Sequence, residues 1–115
     1  MHKILILANH AGGLYNFRYE LIQKLTKEGF AVYFAVPQPS QDWRARLIMD
    51  VGASYIHTHI NRRGANPFED IRLIKTYNKI IGEIKPDLIL TYTVKPNIYG
   101  NYVASRYGIP VIANI

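Results

Sequence analysis

Four short stretches of this chain carry residue types that bind or transfer charged groups. The first is "NHAGG", residues 9–13, directly after the apolar run "KILILA". Two adjacent residues without Cβ let a backbone turn sharply and let a ligand approach its N–H groups. A helix beginning there adds unpaired N–H groups and the positive end of its dipole, so phosphate is the natural guest of Gly12 and Gly13. His10 adds a hydrogen-bond donor. A tight strand-to-helix turn with no ligand explains the same residues equally well. The second stretch is Asn61-Arg62-Arg63, where guanidinium groups could pair bidentately with phosphate or simply be solvated. The third is residues 92–97, where Tyr92, Thr93, Lys95 and Asn97 offer hydroxyl, ammonium and amide groups to a sugar or a phosphate. Here Thr93 and Asn97 could instead only start a helix near Pro96. The fourth is His57 and His59, two apart on an expected strand and so on one face. Zinc needs a third ligand, and no nearby Asp, Glu or Cys supplies one in sequence, so ordinary polar histidines are the better reading and no metal site is expected.

Other chemistries are excluded by what these loops lack. A dinucleotide fold wants G-x-G-x-x-G after the first strand and an acid at the end of the second. The second strand here ends "FAVPQP", without a carboxylate. The P-loop pattern G-x-x-x-x-G-K-[ST] is absent. A phospho-receiver domain needs acids where this chain has Asn9, His10, Thr58 and Ile60. No cofactor is expected.

The elements that must position these groups alternate along the chain. "KILILA" (3–8) and "AVYFAV" (31–36) are short apolar runs, as expected for buried strands; "SYIHTHI" (54–60), with some period-two character, "DLILTY" (87–92) and "PVIANI" (110–115) read as the other three strands. Between them lie amphipathic stretches. Leu14, Phe17, Leu21 and Leu25 recur at helical spacing, with Gly29 suited to a left-handed cap. Residues 42–51 read as a shorter helix. Pro67 fits the first turn of a long helix whose buried side is marked by Phe68, Ile71, Ile74, Ile81 and Ile84, with Leu73 and Ile80 broadening the stripe. A further helix runs from about Pro96 to Tyr107. The order βαβαβαβαβ requires right-handed crossovers and predicts a five-stranded parallel sheet with helices on both faces, a Rossmann-like α/β domain. In such a sheet ligands bind beyond the carboxyl ends of the strands, where the stretches above fall.

The totals agree with one packed domain. The chain has 115 residues, of which 49% are hydrophobic and 19% charged, and no cysteine, which excludes disulfides and thiolate metal sites. Its formal charge of +6 suggests an anionic partner, but Lys and Arg are scattered rather than clustered, so nucleic acid is not expected. "KILILA" is too short for a membrane span and lacks the features of a signal peptide, which places the protein in the cytoplasm or peripherally on the inner face of the membrane. The apolar end at Ile115 reads as a domain cut from something longer.

The blocks "KILILANHAGGLYNFRYELIQKL", "NRRGANPFEDIRLI", "KPDLILTYTVKPNIYGNYVA" and "GIPVIANI" together resemble the amino-terminal domain of a GT-B glycosyltransferase. The nearest branch is the family-four-like enzymes of bacterial capsule, exopolysaccharide and lipid-linked glycan assembly. The resemblance covers essentially the whole chain. It implies a two-domain enzyme that transfers a sugar, with retention and without metal, from a nucleotide-sugar donor to a glycan or polyprenyl-diphosphate acceptor. This chain would supply the acceptor-side half, residues 1–115, inactive without a donor domain in cis or on a partner chain. The resemblance places Gly12, Gly13 and His10 near the donor diphosphate. Arg62, Arg63, Thr93, Lys95 and Asn97 would face acceptor or phosphate charge, and no residue is assigned as catalytic base. Two other readings stand beside it: a standalone module docking on a membrane or protein, and half of a sugar-nucleotide epimerase.

Overall fold

The structure is a computed structural model that describes residues 2–60 and 66–114. Five strands and their helices alternate as expected: β1 (Lys3–Leu7), α1 (Ala11–Lys27), β2 (Ala31–Val36), α2 (Trp43–Asp50), β3 (Ser54–His57), α3 (Pro67–Ile84), β4 (Leu88–Tyr92), a π-helical turn (Pro96–Gly100) that runs into α4 (Asn101–Tyr107), and β5 (Val111–Asn114). The strands form one sheet in the order β3-β2-β1-β4-β5. Every neighbouring pair is parallel, with Ile4 opposite Val32 on one side and Leu88 on the other.

Side chains on a strand alternate between faces, and β1 shows the result. Ile4 and Ile6 join Leu14, Ile22, Phe34 and Ile48 in a core under α1 and α2. Leu5 and Leu7 join Leu73, Tyr77, Ile81, Ile89 and Val103 in a second core under α3 and α4. The central strand is thus buried on both faces, which is why its sequence is apolar without interruption. Burying one side chain such as Phe34 or Leu5 contributes about 1.5–3 kcal/mol.

The helix boundaries follow from capping. Asp42 caps α2 by accepting from the N–H groups of Arg44 and Ala45. These bonds, with the Arg44 side chain, outweigh the burial that opposes them and hold the Asp42 carboxyl below its ordinary pKa. Asn66 caps α3 ahead of Pro67, and Gly29 follows α1 with a φ of +94°.

Three expectations need correction. Gly12 and Gly13 do not form a loop; both lie in the first turn of α1. The buried stripes match those expected only in part. On α1, Phe17 is 76% exposed and Leu21 is also exposed, while Ala11, Leu14 and Ile22 are buried. On α3, Phe68 is 81% exposed and Ile71 is exposed, while Leu73, Ile80 and Ile81 are buried as expected and Tyr77 joins them against the sheet. At 3.6 residues per turn, Phe68 and Ile71 fall well outside the arc centred on Leu73 and Tyr77. Finally, β3 ends at His57 rather than residue 60. Its neighbour β2 reaches Pro37 at that level, and proline has no N–H for the ladder. His57 and His59 therefore do not share a strand face.

Candidate functional site

In the order β3-β2-β1-β4-β5 the chain leaves β1 toward one side and β4 toward the other, so the loops after these two strands diverge. A crevice opens between them, where ligands bind in sheets of this type. A cavity of about 390 Å³ lies there, bounded on one side by residues that follow β1 and on the other by Tyr92 and Thr93 at the end of β4. Asn9, His10, Gly13 and Arg18 contribute its polar wall, and Leu14 and Phe17 its apolar one.

His10 is the N-cap of α1. Its Nδ1 accepts the Gly13 N–H at 3.0 Å. A neutral imidazole accepting through Nδ1 carries its proton on Nε2, so the cap also fixes His10 as a donor through that nitrogen. The Ala11 N–H is taken by Gln38 Oε1 at 2.7 Å. Two of the first N–H groups of the helix are thereby satisfied within the protein.

The two glycines differ in what they make room for. A Cβ on Gly12 would lie 2.3 Å from Arg44 Nη1 and 2.6 Å from the His10 ring, so Gly12 permits the close approach of those side chains. A Cβ on Gly13 would meet nothing within 4 Å. Gly13 lines the cavity and leaves it open.

The far wall is strained. Thr93 has a φ of +75°, a conformation that β-branched residues rarely adopt. Such a backbone costs about 1–3 kcal/mol and is held only where the surroundings over-determine it. Here the Thr93 hydroxyl donates to the Tyr92 carbonyl, and the Thr93 carbonyl accepts from Asn97 N–H at 3.0 Å. The following residues fasten this wall to the rest of the fold. Lys95 Nζ donates to Asp70 Oδ1 at 2.8 Å, and the Tyr99 hydroxyl donates to Asp70 Oδ2 at 3.0 Å. The Lys95 bond, then the Tyr99 bond, hold the Asp70 carboxyl below its ordinary pKa, and the same carboxylate raises that of Tyr99. Asn97 Nδ2 donates to the Asn114 carbonyl at 2.7 Å, joining the π-helical turn to β5.

Of the residues singled out in sequence, His10, Gly13, Tyr92 and Thr93 line one cavity, while Gly12 lies beneath it against Arg44. Lys95 and Asn97 turn to Asp70 and Asn114 instead. Arg62 and Arg63 lie outside the described residues. His57 Nε2 lies 3.1 Å from the Pro37 carbonyl oxygen, and His59 Nε2 lies 3.3 Å from Glu69 Oε2. Among the described residues no group of three or more His, Cys, Asp or Glu side chains could hold a metal. Nor is any helix among them long and apolar enough to cross a membrane.

Arg18 and Asn9 were not singled out by sequence. Arg18 sits on a helix face among residues that read as core, and its signal was its place in the block "LYNFR". Its guanidinium carbon lies 5.2 Å from the centre of the Tyr92 ring. Below this pair an apolar groove continues over the sheet between α1 and β5, lined by Leu21, Leu88, Leu90 and Ile112.

A family described as "Glycosyl transferase 4-like" matches residues 3–115. Curated proteins give no match to the chain by sequence. Among solved structures, MurG of Acinetobacter baumannii is similar with a TM-score of 0.75 and 18% identity, over 98% of this chain and 34% of that one. A glycosyltransferase from Rickettsia africae ESF-5 is similar with a TM-score of 0.75 and 17% identity, over 99% of this chain and 29% of that one. A UDP-GlcNAc 2-epimerase from Neisseria meningitidis, bound to UDP-GlcNAc, is similar with a TM-score of 0.71 and 16% identity, over 96% and 31%. The chain spans about a third of the length of each of these.

Proposed function

The chain belongs to the Glycosyl transferase 4-like family, with the Rossmann-like fold of a GT-B amino-terminal domain, and from that premise we propose that it is the acceptor-side half of a sugar-transferring enzyme. The donor is a nucleotide sugar. The acceptor is a glycan or a polyprenyl diphosphate used in building cell-surface polysaccharide, such as a capsule. The observation that carries this reading is the cavity between the ends of β1 and β4, open at Gly13 and lined by the polar side chains of His10, Arg18 and Thr93.

Sugar transfer from a nucleotide diphosphate leaves charge on the departing phosphate. Pre-placed donors aimed at that charge lower the barrier because they need no reorganisation as it develops. His10 and Gly13 form the side of the cleft nearest the diphosphate, with Gly12 packed beneath them. Thr93 forms the opposite side, with Lys95 and Asn97 setting its position through Asp70 and Asn114. Arg62 and Arg63, after β3, meet acceptor or phosphate charge. The formal charge of +6 supports contact with the anionic inner face of the membrane. A second domain, in cis or on a partner chain, completes the cleft and supplies most donor contacts, so this half alone does not turn over.

Similarity to the epimerase is similarity of fold, and it makes the epimerase half the second reading. Assay of the chain with and without its donor-binding partner separates these readings. Sugar transfer that needs both parts is expected. Turnover by the chain alone overturns its assignment as half a site, and epimerisation without transfer moves it to the second reading. Gly13→Val fills the open side of the cavity and is expected to abolish transfer in the complete enzyme. Undiminished transfer by that variant removes the cavity from the mechanism.

A further inference from the structure

We propose that Arg18, carried on the ring of Tyr92, is the cation that meets the ligand's phosphate in this cavity. This rests on the reading above that the cavity takes a phosphate-bearing ligand.

The argument is one of charge accounting around the rim. Of the residues that line the cavity, Arg18 is the one formal cation, and none is Asp or Glu. Backbone donors cannot supply the missing positive charge alone, since the Ala11 and Gly13 N–H groups already bond to Gln38 and His10. Among the described residues, the other cations near the carboxyl ends of the strands are matched. Arg44 lies 3.6 Å from an Asp42 oxygen, and Lys95 lies 2.8 Å from Asp70. Arg18 has no carboxylate within ion-pair distance among the described residues. Its Nη1 donates to the Phe17 carbonyl at 3.0 Å, and its guanidinium rides over Tyr92.

That placement suits a phosphate. A guanidinium lying over a ring keeps its planar edge available, and this edge presents N–H donors in a fork that matches two phosphate oxygens. Tyr92 is itself fixed, since it is the last residue of β4 and pairs in register with Asn114 of β5. The ring, carried on this anchored backbone, offers the guanidinium a surface beside Gly13 and Thr93. Tyr92 is a positioning residue and Arg18 a binding residue.

The test is calorimetric titration of the full chain with inorganic pyrophosphate and, separately, with uridine diphosphate. Amide shifts of Gly13 and Thr93 report whether the probe enters the cavity. Arg18→Met is expected to weaken binding by about tenfold or more, the scale of a lost charge-assisted pair. Arg18→Lys, which keeps the charge but not the fork, is expected to fall between. Tyr92→Phe keeps the platform and the affinity, whereas Tyr92→Leu loses several-fold. Lys79→Met removes the same charge from an exposed face of α3 and is expected to change nothing. If the unmodified chain binds neither probe, or binds without shifting Gly13 and Thr93, the cavity reading falls and this assignment with it. If it binds in the cavity and Arg18→Met binds equally well, only the assignment of Arg18 falls. Equal losses in Arg18→Met and Lys79→Met would also overturn it, by reducing the effect to net charge.

Discussion

Lys95 Nζ stands 2.8 Å from Asp70 Oδ1, and this contact ties the segment after β4 to the first turn of α3. Tyr99 reaches the other oxygen of the same carboxylate. Both bonds favour the ionised form, so the folded-state pKa of Asp70 lies below its unfolded value. The sign follows from linkage. A depressed carboxylate contributes stability that is present above the unfolded value, near 4, and is lost as pH falls through the folded value. Asp70→Asn is therefore expected to lower the melting temperature at pH 7 and to converge on the parent as pH falls through the folded value. Melting curves from pH 7 to pH 2 check this. A constant gap at all pH values would assign the loss to packing rather than charge.

Gly12 and Gly13 are neighbours whose replacement by alanine has opposite outcomes. A methyl group at Gly13 meets open space and gains helix propensity, so Gly13→Ala is expected to stabilise the fold by about 0.5 kcal/mol. A methyl group at Gly12 runs into Arg44 and His10. Overpacking costs about 1–3 kcal/mol, so Gly12→Ala is expected to destabilise despite the same gain in propensity. Urea denaturation of the two variants measures both signs.

Thr93 is held at a φ of +75°. Glycine relieves the clash of Cβ with the backbone, and alanine does not. Thr93→Gly is expected to be about 1 kcal/mol more stable than Thr93→Ala, after allowing for the added freedom of glycine in the unfolded chain. Thermal melts of the pair compare variants that both lack the hydroxyl. Equal stabilities would show that the backbone relaxes when the side chain is removed.

Tyr77 lies fully buried between α3 and the sheet, and its hydroxyl has no hydrogen-bond partner among the described residues. Burial raises its pKa, as expected of a phenol that cannot hold charge there. Removing an unpaired buried hydroxyl removes its desolvation cost, so Tyr77→Phe is expected to stabilise the protein by about 1 kcal/mol. A lower melting temperature for Tyr77→Phe would contradict this.

The sheet was legible because β1, β2 and β4 are short runs such as "KILIL" and "AVYFAV", which only a strand buried on both faces explains. Pro67 marked the start of α3 correctly for the same local reason. The buried arcs of α1 and α3 were less legible, since apolar residues occur nearly all round both helices. Only the packing shows that Leu73 is buried and Ile71 is not. At the site, the glycines and His10 could be read from adjacency. Their division of labour could not, because it depends on Arg44, some thirty residues away. The Asp70–Lys95 pair and the placement of Arg18 against Tyr92 were hidden for the same reason, since each joins groups distant in sequence.

The central position of β1 sets an order of events in time. Lys3 bonds to Asp87 across 84 residues, and β1 pairs with β4 only once that far residue exists. At about 5–20 residues per second, a ribosome takes several seconds to cover the distance. Residues 3–57 can assemble β3-β2-β1 with α1 and α2 during that interval. Through it, the free edge of β1 waits as an unpaired apolar strand beside its completed neighbours. Newly made chains therefore pass through a stage in which this edge is open to wrong partners, and the yield of folded protein is expected to depend on how quickly β4 arrives to close it.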